Sequence, residues 1–375
     1  MRIFAAFAAG LLMAAMLCFC GFAAPAEPSV TARSAIVINA DTCEVLFEKN
    51  STEQRAMAST TKIMTALLTL EAGDLDKPFT ADSMAIRVEG TSMGLKEGDI
   101  VTRRALVYGM LLPSGNDAAN AAAVNVSGSI PKFAELMNKR AAEIGMNNTH
   151  FVTPSGLDAE GHYTTAYDMA LLAAAALKNK DFCEICCLSS AKVEFGNPPT
   201  ARTLKNSNKL LQSYEGCIGV KTGFTDNARR CLVSAAERNG AKIIAVTLNA
   251  PDDWNDHKKL LDYGFSKVKA YYIETDSFSV NVIGGETDCI TARAAEIPRI
   301  GLTEESAKQI NVKYFLPDFV YAGIEKGEQL GRAEIYCGDR LIAKIPIIAA
   351  EDCPQKTEKQ GFWDRIVLFF TGLAG

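Results

Sequence analysis

"ASTTKIMTALL", residues 58–68, opens with small polar residues and closes as an apolar stripe. Ile63, Ala66, Leu67 and Leu70 fall at i, i+3, i+4 and i+7, the spacing of one buried helix face. Ser59 precedes Lys62 by three residues, and on a helix those positions face the same way. Two readings are open. In the first, Ser59 caps the helix and Lys62 lies on a solvated face. In the second, Ser59 is a nucleophile and Lys62 takes its proton. That requires a neutral amine, hence burial or a neighbouring positive charge. S-x-x-K by itself occurs often by chance and favours the first.

Two further stretches reverse the balance. "LLPSGNDAANAAA" (111–123) sets Ser114-Gly115-Asn116 in a turn after an apolar helical run, so both polar side chains can enter one cleft. "IGVKTGF" (218–224) sets Lys221-Thr222-Gly223 on a predicted strand. A lysine and a threonine there can bind a carboxylate, and glycine lets a substrate backbone approach the strand edge. Singly these are a turn and an exposed strand end. Their order and separation, on helix, loop and strand, point to active-site serine chemistry. The only histidines are His150, His162 and His257, and no G-x-S-x-G elbow is present, so Lys62 is the available base.

Around this centre the pattern predicts an α/β (α+β) catalytic domain, an antiparallel sheet covered by helices. "SAIVINADTCEVLFEKN" (34–50) alternates on both sides of Asn39-Ala40-Asp41-Thr42, a hairpin signal. Residues 103–175 are rich in Ala, Leu and Met and read as helices, one closed by Gly145. Strands return after about residue 215 and form a meander with a turn at Arg238-Asn239-Gly240. The helix "WNDHKKLLDYGF" follows. First hairpin and late meander are expected to share the sheet. From 269 to 350 short alternating strands predict a small all-β domain.

The chain has 375 residues and a formal charge of −5, which offers no basic field for nucleic acid. Residues 1–26 read as a signal peptide, with Arg2, an uncharged apolar run and Ala24-Pro25-Ala26 before Glu27; an uncleaved anchor is the alternative. Export to the outer face of the cytoplasmic membrane is expected. In the tail, 351–375, Phe362, Ile366, Phe369, Phe370 and Leu373 share a helical face too short to span a bilayer. It suits an in-plane anchor or a helix docked on its own protein. Nine cysteines remain after the signal, an odd number that reads as buried thiols. "CEICC" (183–187) lacks a second ligand pair at zinc spacing.

The three motifs, with "MASTTKIMTALL", "EGTSMGLKEGD", "FAELMNKRAAEIGMNNTHFVTPSGLD" and "GHYTTAYDMALLAAAAL", resemble the low-molecular-mass penicillin-binding proteins, the S11 serine D-alanyl-D-alanine carboxypeptidases. Class A β-lactamases share the short motifs but carry E-x-x-L-N, where this chain has Glu135 and Asn138 one residue short. The resemblance implies removal of the terminal D-alanine from peptidoglycan stem peptides through an acyl-enzyme on Ser59, and covalent inhibition by β-lactams. It implies no cofactor and no metal. Lys62 is the base it implies. Ser114 passes a proton to the leaving group and Asn116 bonds substrate and Lys62. Lys221, Thr222 and Gly223 bind substrate, and the amides of Ser59 and Phe224 form the oxyanion hole. A related endopeptidase, a weak β-lactamase or a silent wall-binding protein are the alternatives. Three points stay open: whether Arg229-Arg230 shape the cleft, whether Cys217 and Cys231 pair, and whether Lys209 helps Thr222 hold the carboxylate.

Overall fold

The computed structural model describes residues 26–356. The predicted signal up to residue 25 and the tail helix beyond residue 356 lie outside the described residues. The chain enters on β1 (Ser34–Asn39) and returns on β2 (Val45–Lys49), the hairpin expected from its alternation. A 3-10 turn (Ala58–Thr61) leads into α1 (Lys62–Glu71). Short strands β3 (Phe79–Thr80) and β4 (Ile100–Val101) precede the helical middle. It comprises α2 (Arg103–Leu111), α3 (Asn116–Ser127), α4 (Ile130–Ile144), α5 (Ala166–Ala176) and α6 (Lys180–Cys186). Helix α4 buries Phe133, Met137 and Ala141 along one face and stops at Gly145, whose φ of 93° is left-handed.

Strands β5 (Ser190–Gly196) and β6 (Pro199–Lys205) join β3 and β4 in a four-stranded sheet that the sequence did not reveal. β5 does alternate, with Ala191, Val193 and Phe195 against Lys192 and Glu194, but β6 buries only Leu204, so the hairpin has no second apolar stretch to mark it. The short helix α7 (Leu210–Ser213) leads to the meander β7 (Cys217–Thr225), β8 (Arg229–Arg238) and β9 (Ala241–Leu248). The main sheet runs β2-β1-β9-β8-β7, so first hairpin and late meander do share it. Its central strands are covered on both faces. Ile36 and Ile38 pack toward the helical middle, while Ala35 and Val37 pack against α8 (Asp253–Lys267). β7 is left as the edge strand, beside the turn that carries Ser59.

The second domain is all β, as expected. It comprises β10 (Lys269–Tyr272), β11 (Phe278–Ile283), β12 (Cys289–Ala294), β13 (Arg299–Leu302), β14 (Ile310–Phe315), β15 (Phe319–Tyr321), β16 (Gln329–Cys337) and β17 (Arg340–Ala349), with the one-turn helix α9 (Glu304–Ala307). β11 and β12 alternate strictly between exposed and buried, and the buried side forms a core of its own. Asn39 Nδ2 donates to the Gly301 carbonyl at 2.7 Å, and the Glu44 carboxylate accepts from Thr303 and Ser306, tying the two domains together.

All nine cysteines in the described residues are free thiols. Cys217 pairs with Ala236 in the ladder and Cys231 with Gly223, so these two sit far apart along the strands and do not form a disulfide. Cys183 and Cys186 donate to the carbonyls of Leu177 and Ile218.

Candidate active site

The 3-10 turn explains why Ser59 and Lys62 meet. At three residues per turn, i and i+3 eclipse, so the lysine folds back over the serine. Ser59 is not a cap: no side-chain cap bond closes either the turn or α1. Lys62 Nζ lies 2.9 Å from Ser59 Oγ, 2.7 Å from Asn116 Oδ1 and 2.6 Å from the Ser155 carbonyl. Asn116 is oriented by its other end, where Nδ2 donates to the Glu89 carbonyl at 2.7 Å. Lys62 is fully buried. Burial holds its amine well below the ordinary lysine range, and the charge of Lys221 adds to that, while Asp117 works the other way. Two of three tetrahedral positions on a neutral amine are then taken by acceptors, the Asn116 and Ser155 oxygens. The remaining lone pair faces Ser59 Oγ–H, the geometry of a base.

Lys221 is buried as well, and burial draws it down to about 7. Its Nζ donates to the Thr222 carbonyl at 2.8 Å. Thr222 Oγ1 shares a hydrogen bond with Ser207 Oγ at 3.1 Å. Ser59, Ser114, Asn116, Thr222, Gly223 and Phe224 all line one cavity of about 500 Å³. Ser114 sits there with φ 68°, a left-handed backbone that is costly for a side chain other than glycine and is held by the surrounding turn. Lys209 reaches the same cavity, as does Arg230. The Arg229-Arg230 question therefore resolves in part: Arg230 is a cleft wall. Its Nε donates to the buried Asp253 carboxylate at 3.0 Å, beside Trp254.

Four contributors were not legible as site residues. Ser155 acts through its main-chain oxygen, so its side-chain identity carried no signal. The "TPSG" stretch reads as a turn and is one, but it delivers that oxygen to Lys62. Gly156, with φ 84°, has no room for a side chain: a Cβ there would lie 2.0 Å from the Ala58 carbonyl oxygen. Asp117, directly after Asn116, accepts from Ser92 Oγ and from the amides of Met93, Gly94 and Leu95, pinning the 90–95 loop to α3. Ser207 supports Thr222.

The histidines stay outside the chemistry. His162 Nδ1 accepts from the Val152 amide at 2.9 Å, so Nε2 carries the proton toward Thr61 Oγ1, also 2.9 Å away. Burial draws it down to about 4, so it is neutral and braces the 3-10 turn from behind. His257 is buried between Ser234 and Thr247. Asn138, in the E-x-x-N stretch, exchanges two hydrogen bonds with the Phe151 backbone, a structural duty.

The family described as D-alanyl-D-alanine carboxypeptidase, peptidase S11, matches residues 22–252, and the penicillin-binding protein 5 C-terminal domain matches residues 265–355. The chain is similar to D-alanyl-D-alanine carboxypeptidase DacF of Bacillus subtilis, 36% identical over 346 residues, 88% of this chain and 87% of that protein. It is similar to DacC of Escherichia coli, 32% identical over 360 residues, 90% of this chain and 87% of that protein. Among solved structures, the Streptomyces K15 DD-transpeptidase superposes with a TM-score of 0.61 at 33% identity, covering 64% of this chain and 99% of that one. DacD from Francisella tularensis gives 0.62 at 28% identity, covering 88% of this chain and 96% of that one.

Proposed function

We propose, from the premise that this chain belongs to the S11 family of D-alanyl-D-alanine carboxypeptidases, roles for its site residues in that reaction. The chain is a serine-type carboxypeptidase of peptidoglycan stem peptides ending in D-Ala-D-Ala, and β-lactams acylate the same serine. The observation that carries the assignment is the Lys62 amine, buried, satisfied by two acceptors and aimed at Ser59 Oγ.

Ser59 Oγ attacks the carbonyl of the penultimate D-alanine while its proton passes to Lys62 Nζ. The developing oxyanion takes hydrogen bonds from the amides of Ser59 and Phe224. The C–N bond then breaks, and the proton reaches the leaving amine through Ser114 Oγ. Lys62 is neutral again and serves as base for the water that hydrolyses the ester. Asn116 holds Lys62 throughout. Lys221 supplies positive potential in its protonated form, and Thr222 binds the terminal carboxylate.

Arg230, rather than Lys209, is the cation that assists Thr222. Leu232 lies opposite Thr222 in the ladder, so Arg230, two residues before it, is the diagonal neighbour on the same face. Asp253 fixes its Nε and leaves other guanidinium N–H groups free for a carboxylate. Lys209 is exposed, on a flexible stem with nothing to orient it.

Export by the 1–26 signal and attachment through the amphipathic tail complete the reading. They rest on sequence pattern; among the described residues no helix is long and apolar enough to cross a membrane. Ser59→Ala should lose both D-alanine release from a stem pentapeptide and labelling by fluorescent penicillin. Labelling that survives would mean another nucleophile.

A further inference from the structure

The β domain has two poles. At one, Arg340 lines a cavity with Glu71, Arg140 and Lys178 of the catalytic domain, and Gly301 bonds Gly240. From Arg340, β17 runs nine steps to Ala349, about 30 Å at 3.3 Å per residue. Everything beyond gathers at the far pole. Ala350 bonds Thr291, Cys353 bonds Ile324, and the Lys356 amide donates to the Gly284 carbonyl at 2.8 Å. The described chain ends there, beside Ile283.

That pole also carries uncovered apolar surface. Ile283, Phe319 and Tyr321 are 49%, 45% and 70% exposed. Ile283 pairs with Tyr321 and Asn281 with Phe319 in the β11–β15 ladder, so all three apolar side chains stand on one face. The Phe319 and Tyr321 rings meet edge to face at 5.7 Å. β15 is an edge strand, where soluble proteins place charge or proline rather than an aromatic pair. The 19 residues that follow Lys356 leave from this spot and include Phe362, Trp363, Ile366, Phe369 and Phe370.

We infer that this far pole rests on a lipid bilayer, with Ile283, Phe319 and Tyr321 entering the boundary between headgroups and acyl chains alongside the tail. The inference rests on the membrane reading of that tail. Its occupant is set by the chemistry. Aromatic rings with one polar tip are the residues of the interface, and the Tyr321 hydroxyl stays at headgroup level. Asp318, Glu286 and Asp288 flank the patch and outnumber its neighbouring cation, Lys356, so attraction to anionic lipid is not the driving force and the contact is apolar. A second contact beside the tail then holds the chain in one orientation on the bilayer rather than on a free tether.

The test uses the full chain and phosphatidylglycerol/phosphatidylethanolamine vesicles, with and without brominated acyl chains. Tyr321→Trp should add emission that brominated lipid quenches, whereas Lys308→Trp, at the catalytic pole, should add emission that it does not. Replacing Ile283, Phe319 and Tyr321 together by serine should lower vesicle partitioning about tenfold or more, at low and high salt alike. If the parent sediments with vesicles but Tyr321→Trp is unquenched and the triple variant partitions like the parent, the inference is overturned and the tail reading stands. If the parent does not sediment at all, the tail reading has failed and this one falls with it. If the triple variant instead turns a dimer into a monomer without lipid, a second copy is the occupant and the inference is wrong.

Discussion

Gly156→Ala is a severe test of the site, because its effect follows from main-chain geometry alone. A Cβ built at Gly156 lies 2.0 Å from the Ala58 oxygen, 2.6 Å from its carbon and 2.8 Å from Thr61 Oγ1, where real Cβ contacts stay beyond 3.0 Å. Relief therefore requires a shift of about 1 Å, from 2.0 to 3.0 Å. The shift has two places to go. It moves Ala58, and with it Ser59, or it moves the 155–156 peptide and withdraws the carbonyl that Lys62 contacts at 2.6 Å. Either displaces the base from the nucleophile. A misplacement of that size costs about 100-fold in rate, or about 2.7 kcal/mol of transition-state stabilisation. The left-handed φ of 84° adds strain of about 1 kcal/mol for alanine. Gly128→Ala isolates that second cost, since Gly128 has φ 83° and nothing within 4 Å of its added Cβ. Acylation by fluorescent penicillin and thermal melting, measured on both variants, separate the contributions. Gly128→Ala should acylate at the parent rate with a slightly lowered melting point. Gly156→Ala should be slow and less stable still. If Gly156→Ala acylates like the parent, the carbonyl of Ser155 does not position Lys62 as argued.

Four further outcomes are expected. Asn116→Ala removes an acceptor from a buried amine and should lower acylation by about 10²-fold or more, seen in single-turnover labelling. Asp117→Asn keeps the shape but weakens the acceptor for the 90–95 amides; it should lower the melting point and let protease cut that loop in the folded enzyme. Burial draws Lys221 from 10.5 to about 7, so between those values the unfolded chain keeps a proton that the folded chain has released. Stability therefore rises with pH across that window, and Lys221→Met should reduce the rise in urea midpoint between about pH 7 and 9. Arg230→Gln should raise KM for a stem peptide with a free C-terminal carboxylate and abolish the preference over its amide; an unchanged preference would return the role to Lys209 or another group.

The sequence alone determined a good deal. The motif residues, the hairpin and meander of the main sheet, the helical middle and the all-β domain were legible because they rest on local chemistry. Side-chain period, turn residues and motif spacing are properties of short stretches, and burial acts on them in predictable ways. Only the tertiary structure decided the rest. It put Lys62 in full burial, which lowers its proton affinity more than Lys221 does, where the sequence left burial and charge as open alternatives. It brought the Ser155 carbonyl, 93 residues away, to the base, and a main-chain oxygen has no signature in residue identity. It set Arg230 diagonal to Thr222 and separated Cys217 from Cys231, both consequences of strand register. The strands β5 and β6 escaped because β5 alternates over only five residues and β6, with Leu204 alone buried, offers it no matching apolar partner. Ser59 and Lys62 could be read as a pair from their spacing, but whether the serine was a cap or a nucleophile was decided by where the lysine's other two partners stand.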